Sequence, residues 1–257
     1  MKLASNKFTH ALAANDKQIG LWVTLCSNFV AEVTAPTGYD WVLLDMEHSP
    51  NDYSSVLGQL QVYAATDTTA IVRVEWNDAV AVKRLLDLGA PGILFPMIQS
   101  VEEAKSAVAA TRYPPNGVRG VAGSTRATKF GRISDYVTQV EKETTVLIQL
   151  ETRAAVEQAE AIAAVEGVHG IFFGPGDIAA DIGKVGNPMD AQVWELIKPA
   201  AQKLIAKGMP VGTQVLDPAF AAELLNEGFS FVACGTDSSL LAKASDALFA
   251  QVKKDLS

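Results

Sequence analysis

Glu151 and Asp177 stand at the far ends of two consecutive apolar runs, VLIQLE and GIFFGPGD. Runs such as Val146, Leu147 and Ile148 have the composition of strands covered on both faces. An unpaired carboxylate there costs on the order of several kcal/mol. Two acids converging at such ends suit a hard divalent cation that keeps open positions for a substrate. The competing reading makes Glu151 the cap of a helix beginning near Thr152 and Asp177 the cap of one beginning near Ile178, since acids are common at helix starts, where negative charge complements the helix dipole. Recurrence at the same end of matching runs favours a site.

Other polar residues fall into the same pattern. Period-two alternation puts Leu147, Gln149 and Glu151 on one side of their strand, and Ile71, Arg73 and Glu75 on one side of theirs. Gln149 then lies one layer beneath Glu151, placed to hydrogen-bond a metal site or a substrate. Arg73 is an internal, permanently charged fork suited to a carboxylate or to the oxygen of an enolate. Its alternative role is a structural pair with Asp45 or Glu47. His48 ends the acid-rich DMEH and precedes Ser49 and Pro50, which make the segment extended or turned. A histidine in that place can accept a proton near neutral pH. His10, in the N-terminal segment, and His169, before its strand in EGVHG, are set aside.

The elements that must carry these groups are legible as eight apolar runs: 20–25, 41–47, 69–75, 92–98, 145–151, 170–177, 209–215 and 229–237. Segments of helical spacing separate them, among them SSVLGQLQVYAA, DAVAVKRLLDLG, VEEAKSAVAATR, AAVEQAEAIAAV and VWELIKPAAQKLIAKG. Alternating strand and helix with short connections implies parallel strands and right-handed crossovers. Eight such units in 257 residues, 49% of them hydrophobic, predict an α/β fold, one (β/α)8 TIM barrel spanning residues 1–257 as a single domain. Catalytic groups of that architecture sit at the C-terminal strand ends, which is where the polar residues collect: Asp45, Glu47 and His48 in the second unit, Arg73 and Glu75 in the third, Gln99 in the fourth, Gln214 in the seventh, Thr236 and Asp237 in the eighth. An open doubly wound sheet is the rival, but WVTLCSNF lacks the Gly-rich turn expected after its first strand. The one long irregular stretch, 112–132, is rich in Gly, Pro and Arg, and its arginines are candidates for an acidic substrate or for a subunit contact.

Several function classes fall away. The formal charge is −8 and no basic cluster interrupts it, which argues against nucleic acid and anionic membranes as partners. The first residues lack an apolar signal core, and no stretch approaches the roughly 18 apolar residues of a membrane span, so a soluble cytoplasmic protein is expected. Cys26 and Cys234 are expected as buried free thiols. No lysine falls inside a predicted strand, where a Schiff-base amine would be desolvated. Signatures of serine hydrolases, NTPases and zinc proteases are absent, and no nucleotide cofactor is implied.

The strings GYDWVLLDMEHSPND, VRVEWNDAVAVKRLLDLGAPGILFPMIQSVEEA, RYPPNGVRGV, LIQLETRAAV and FFGPGDIAADIG, in this order, closely resemble the HpcH/HpaI aldolase family, the metal-dependent class II pyruvate aldolases. The resemblance runs from about Gly20 to Asp237. It implies a barrel of the phosphoenolpyruvate/pyruvate type, assembled as a homohexamer, a dimer of trimers whose last helix is exchanged between subunits. It implies a divalent metal, Mg, Mn or Co, held by Glu151 and Asp177, and a small-molecule 2-oxo acid and aldehyde as reactants. The family's arginine falls on Arg73 as enolate stabiliser and its histidine on His48 as base. Asp87 is implied to approach His48 from an adjacent subunit, with Asp45 behind the site, Gln149 at the substrate and Trp22 bordering the aldehyde pocket. Gly176 stands in GPGD where Ala is commoner in the family, its N–H directed to the pyruvate carboxylate. The implied reaction is reversible cleavage of a 4-hydroxy-2-oxo acid to pyruvate, or hydroxypyruvate, and an aldehyde through a metal-bound enolate. A lyase of the same barrel type acting on a CoA thioester or on phosphoenolpyruvate is the enzymatic alternative, and a non-catalytic ligand-binding barrel is a remote one.

Overall fold

A computed structural model describes residues 1–256. Its eight strands are β1 (Gln18–Val23), β2 (Trp41–Asp45), β3 (Thr69–Arg73), β4 (Gly92–Phe95), β5 (Thr145–Leu150), β6 (Gly170–Phe173), β7 (Val211–Gln214) and β8 (Phe231–Thr236). All neighbours pair in parallel and β1 closes on β8, giving the barrel that the alternating pattern predicts. The early helices are α1 (Lys7–Ala13), α2 (Asn28–Thr34), α3 (Tyr53–Tyr63), α4 (Ala79–Asp87), α5 (Val101–Thr111) and α6 (Tyr136–Gln139). After β5 come α7 (Arg153–Glu157), α8 (Ala159–Ala163), α9 (Pro175–Asp181), α10 (Ala191–Ala206), α11 (Pro218–Asn226) and α12 (Asp237–Asp255).

Period-two alternation sorts the strand residues into two cores. Outward residues such as Val42, Leu44, Val72, Val146, Ile148 and Ile171 pack beneath the helices. Inward residues Trp41, Leu43, Ile71, Leu147, Phe172 and Phe231 fill the barrel. That interior is stacked with aromatics, and glycine makes the room. A Cβ on Gly20 would lie 2.3 Å from the Trp41 ring, and one on Gly212 2.2 Å from the Phe231 ring. Helix α1 closes the barrel at the N-terminal ends of the strands: Phe8 lies 5.4 Å from Trp41 and 5.7 Å from Phe231, ring centre to ring centre. Asn6 caps α1 and ties it to Pro91, Glu143 and Thr145. Nothing in the hydropathy pattern announces this plug, because its two large buried apolar residues, Phe8 and Leu12, span a single turn.

The expected strands are all present, but several stop sooner at their C-terminal ends. β3 ends at Arg73, so Glu75 lies outside the ladder and is exposed. β4 and β6 end before Pro96 and Pro175, residues that cannot donate to a ladder. The helical pattern over 154–165 is broken into α7 and α8 at Gln158. Side chains of Ser27, Asp52, Asp78, Ser100, Thr152, Asp217 and Thr236 cap helices that follow strands, so every strand-to-helix connection but the one into α9 is anchored by a side-chain cap on the face that carries the site.

The 112–132 stretch runs from the end of α5 toward the start of β5, at the opposite end of the barrel. Within the chain three of its arginines make structural contacts there. Arg119 is fully buried, donates to Asp87 at 2.8 Å and lies 4.6 Å from the centre of the Tyr113 ring. Arg126 donates to the carbonyl of Leu88, and Arg112 pairs with Glu141 at 3.1 Å. Among the described residues no helix is long and apolar enough to cross a membrane.

Candidate active site

The ends of β2 and β3 lie side by side, with Asp45 opposite Arg73 in the ladder. Register converts two residues 28 apart in sequence into a forked ion pair: Arg73 Nε donates to Asp45 Oδ1 and Nη2 to Asp45 Oδ2, each at 2.8 Å. The third nitrogen, Nη1, is 2.7 Å from Glu47 Oε2, a close ion pair at an angle outside hydrogen-bond geometry. Trp22 completes the group from β1, its indole N–H 3.2 Å from Asp45 Oδ2 and its ring 4.9 Å from the guanidinium. The structural pairing of Arg73 with Asp45 and Glu47 is therefore real, and it also fixes the guanidinium at the barrel mouth.

Electrostatics separates the two acids. Burial opposes ionisation of Asp45, but the hydrogen bonds and charge of Arg73 outweigh it and hold the carboxyl below the usual carboxylate range. Glu47 goes the other way: burial raises it, with only partial relief from Arg73 and His48. His48 is the exposed member, its side chain 68% accessible and its Nε2 3.8 Å from Glu47 Oε1. The loop beneath it is held by Ser49 and Asn51, both donating to the carbonyl of Asp45.

Glu151 follows β5 and is buried. The possibility that it caps the next helix is overturned, since Thr152 caps α7. One oxygen of Glu151 instead accepts the backbone N–H of Met97 at 2.7 Å, and the other accepts Gln149 Nε2 at 2.6 Å. Gln149 is thus directly beneath Glu151, as alternation requires, and its own Oε1 is buried without a partner. Burial pushes Glu151 up to about 8; the Met97 N–H opposes this, and the negative charges of Glu47 and Asp177 add to it. Gly174 allows the close approach, because a Cβ there would lie 2.9 Å from Glu151 Oε1.

Asp177 is not a strand-end residue. It lies in the first turn of α9, which begins at Pro175 after Gly174, and is exposed; it is helical but caps no helix at Ile178, and its charge still reaches Glu151. Gly176 precedes it, with open space where a Cβ would project. Asp87 is not brought to His48 within one chain: it ends α4, near the opposite barrel end, bonded to Arg119. The sequence does not single out Met97, and it offers Glu47 only as a strand-end acid and a structural partner of Arg73. Met97 acts through its backbone N–H in a left-handed conformation, φ 52°, which leaves no signal in the side-chain pattern. Glu47 had a signal, its place beside His48 in DMEH.

Among the described residues no group of three His, Cys, Asp or Glu is arranged to hold a metal ion. The donor set is instead an open one, Glu151 with Asp177. A buried carboxyl raised by burial and by two neighbouring acids is a group that a hard dication would satisfy, leaving further coordination positions to substrate oxygens and water. The residues present therefore fit such an ion.

The model of the HpcH/HpaI aldolase/citrate lyase family matches residues 18–244. A pyruvate aldolase of Rhizobium etli is 49% identical over 251 residues, covering 98% of this chain and 99% of that protein. A 4-hydroxy-2-oxo-heptane-1,7-dioate aldolase of Klebsiella pneumoniae is 44% identical over 248 residues, covering 96% and 94%. The crystal structure of an HpcH/HpaI aldolase/citrate lyase family protein from Burkholderia cenocepacia superimposes with a TM-score of 0.93 at 35% identity, covering 97% of this chain and all of that one.

Proposed function

This chain belongs to the HpcH/HpaI aldolase/citrate lyase family, and from that premise we propose that it is a metal-dependent class II pyruvate aldolase using Glu151, Asp177, Arg73 and His48. As a family aldolase it is a carbon–carbon lyase. The observation that carries the finer reading is the convergence at one barrel end of a buried acid, Glu151, with the exposed Asp177 beside it, a fixed guanidinium and an exposed imidazole.

Glu151 and Asp177 would hold Mg, Mn or Co, which when bound supplies Lewis-acid polarisation of a 2-oxo acid. His48, backed by Glu47, takes the C4 hydroxyl proton of a 4-hydroxy-2-oxo acid. The C3–C4 bond breaks, the aldehyde departs, and the electron pair remains as the enolate of pyruvate. Arg73 is pre-set by Asp45 and Glu47 to stabilise that negative charge without reorganising. Gln149 holds Glu151 in place, and Gly176 offers an N–H at the start of α9 to the substrate carboxylate. Proton return to C3 gives pyruvate, and reversal makes the bond. Hydroxypyruvate fits the same steps.

The assembly belongs to this proposal. Leu240, Leu248, Phe249 and Val252 of α12 are all at least half exposed, an apolar stripe that supports exchange of the last helix within a homohexamer. In that assembly Asp87 would meet the His48 of a neighbour. The test is pyruvate release from 4-hydroxy-2-oxo acids with each metal, together with exchange of pyruvate methyl protons, in the wild type and in His48→Asn. Loss of cleavage in His48→Asn with retained metal binding is expected; wild-type cleavage would remove His48 as the base. Turnover of malyl- or citramalyl-CoA in place of the free acids would favour the thioester lyase instead.

A further inference from the structure

We propose that Gln59 and Asn51 are positioning residues for His48, two buried carboxamides in series that hold the turn carrying the imidazole; the inference rests on the reading of His48 as the base for the C4 hydroxyl. Helix α3 turns Val56, Gln59, Leu60 and Tyr63 into the core, and Gln59 is fully buried. That spacing is the apolar stripe of a packed helix, where a carboxamide loses hydration that hydrogen bonds must replace. The replacement is incomplete, since Gln59 Oε1 has no partner. A packing rule broken at one position of an otherwise consistent stripe marks a residue kept for something other than stability. The opposite side of its amide shows the use: Nε2 donates to Asn51 Oδ1 at 2.8 Å and to the carbonyl of Ser55 at 3.0 Å.

Asn51 is buried too, and the direction of its amide is set by the donors around it. Gln59 Nε2 and Ser55 Oγ both lie 2.8 Å from Oδ1, so Nδ2 faces β2, where it donates to the carbonyl of Asp45 at 2.8 Å and to Ser49 Oγ at 3.1 Å. Residues 46–52 belong to neither β2 nor α3, so no ladder or helix holds them. His48 stands in this stretch with one polar contact among the described residues, Glu47 at 3.8 Å. The place of its imidazole is therefore the place of its backbone. Asn51 joins that stretch to the last residue of β2, and Gln59 joins Asn51 to α3. The same strand end puts the Asp45 carboxylate on the Arg73 fork, so one tether sets the base relative to the guanidinium. Both carboxamides are buried within one chain, so a neighbouring subunit would bring its Asp87 to an imidazole already placed.

The experiment uses the full-length protein with Mn and two readouts: cleavage of 4-hydroxy-2-oxoheptane-1,7-dioate or 4-hydroxy-2-oxopentanoate, whichever the wild type turns over, and exchange of pyruvate methyl protons. Pyruvate has no C4 hydroxyl, so exchange reports on the metal and Arg73 without the base. Asn51→Ala is expected to lose roughly tenfold or more in kcat for cleavage and Gln59→Leu about threefold to tenfold, with KM and exchange within about twofold of the wild type. Gln59→Leu supplies the apolar side chain that the stripe calls for, so it should fold even where Asn51→Ala does not, and it then decides alone. Wild-type cleavage by Gln59→Leu, or parallel loss of cleavage and exchange, overturns the inference. His48→Asn run alongside separates the two levels: wild-type cleavage there refutes the base reading itself, as does absence of cleavage of both acids by the wild type for the aldolase reading, and this inference falls with either.

Discussion

Replacing Glu151 by Gln should make the metal-free protein more stable while removing metal binding and activity. Glu151 is buried and its carboxyl is held at about 8 against an ordinary value of 4.5. An acid raised in the folded state binds protons more tightly folded than unfolded, so stability falls as pH rises from about 4.5 to about 8. At pH 7 that shift corresponds to roughly 3 kcal/mol of destabilisation. Gln carries no charge, and its hydrogen bonds can be rebuilt: its oxygen accepts the Met97 N–H, and its amide nitrogen donates to Gln149 Oε1, the acceptor now without a partner. Recovery of about 1–3 kcal/mol, at about 2–4 °C per kcal/mol for a chain of this size, raises Tm by roughly 2–12 °C. The assay is calorimetry in EDTA at pH 5, 7 and 8. The advantage of the variant should be small at pH 5 and grow to pH 8. Added Mn should reverse the order, since a ligand at 100 times Kd contributes about 2.7 kcal/mol to the wild type and far less to the variant. A variant that melts at or below the wild type at pH 7, with a gap independent of pH, refutes the reasoning.

Arg73→Met leaves Asp45 buried and unpaired, so urea unfolding should show a loss of about 3–5 kcal/mol, and NMR should show suppressed exchange of pyruvate methyl protons. Arg73→Lys should retain more stability than activity, because one ammonium cannot reproduce the fork on Asp45 and the contact to Glu47 together. His169 Nδ1 accepts the N–H of Val146 at 3.1 Å, and burial, aided by the charge of Arg112, lowers its pKa. The unfolded chain therefore takes up the proton first, stability should fall as pH drops below about 6.5, and His169→Gln should flatten that slope in thermal melts. Gly176→Ala meets no atom within 4 Å and sits inside α9, so it should raise stability by about 0.5–1 kcal/mol and leave kcat/KM for cleavage near the wild-type value.

Much of the fold is local information. Alternation in TVLIQL and TAIVR, helical spacing between them, and caps such as Asp78 and Thr152 are properties of short stretches. Eight repeats of them leave little choice but a barrel with its polar residues at one end. Gln149 under Glu151 and Ile71 under Arg73 follow from a period of two, and the structure keeps both. Where prediction strayed, the cause was non-local. Strand length depends on where a neighbour stops pairing, so β3 ended at Arg73 and Glu75 fell outside. The 112–132 arginines, candidates for an acidic substrate or a subunit contact, belong to a helix-to-strand connection, which the topology places at the other end of their own barrel.

The amino-acid sequence by itself determined the (β/α)8 architecture, the polarity of the barrel and the place of Glu151, Arg73 and His48 at its C-terminal strand ends, because periodicity and strand-end position are written in consecutive residues. Only the tertiary structure decided who touches whom. Register across β2 and β3 sets Asp45 on the Arg73 fork, a left-handed turn at Met97 aims a backbone N–H at Glu151, and barrel closure places Asp177 of α9 close enough to raise that acid. Those contacts join residues separated by tens of positions, and their energies depend on burial, which no single stretch of chain possesses before the barrel closes.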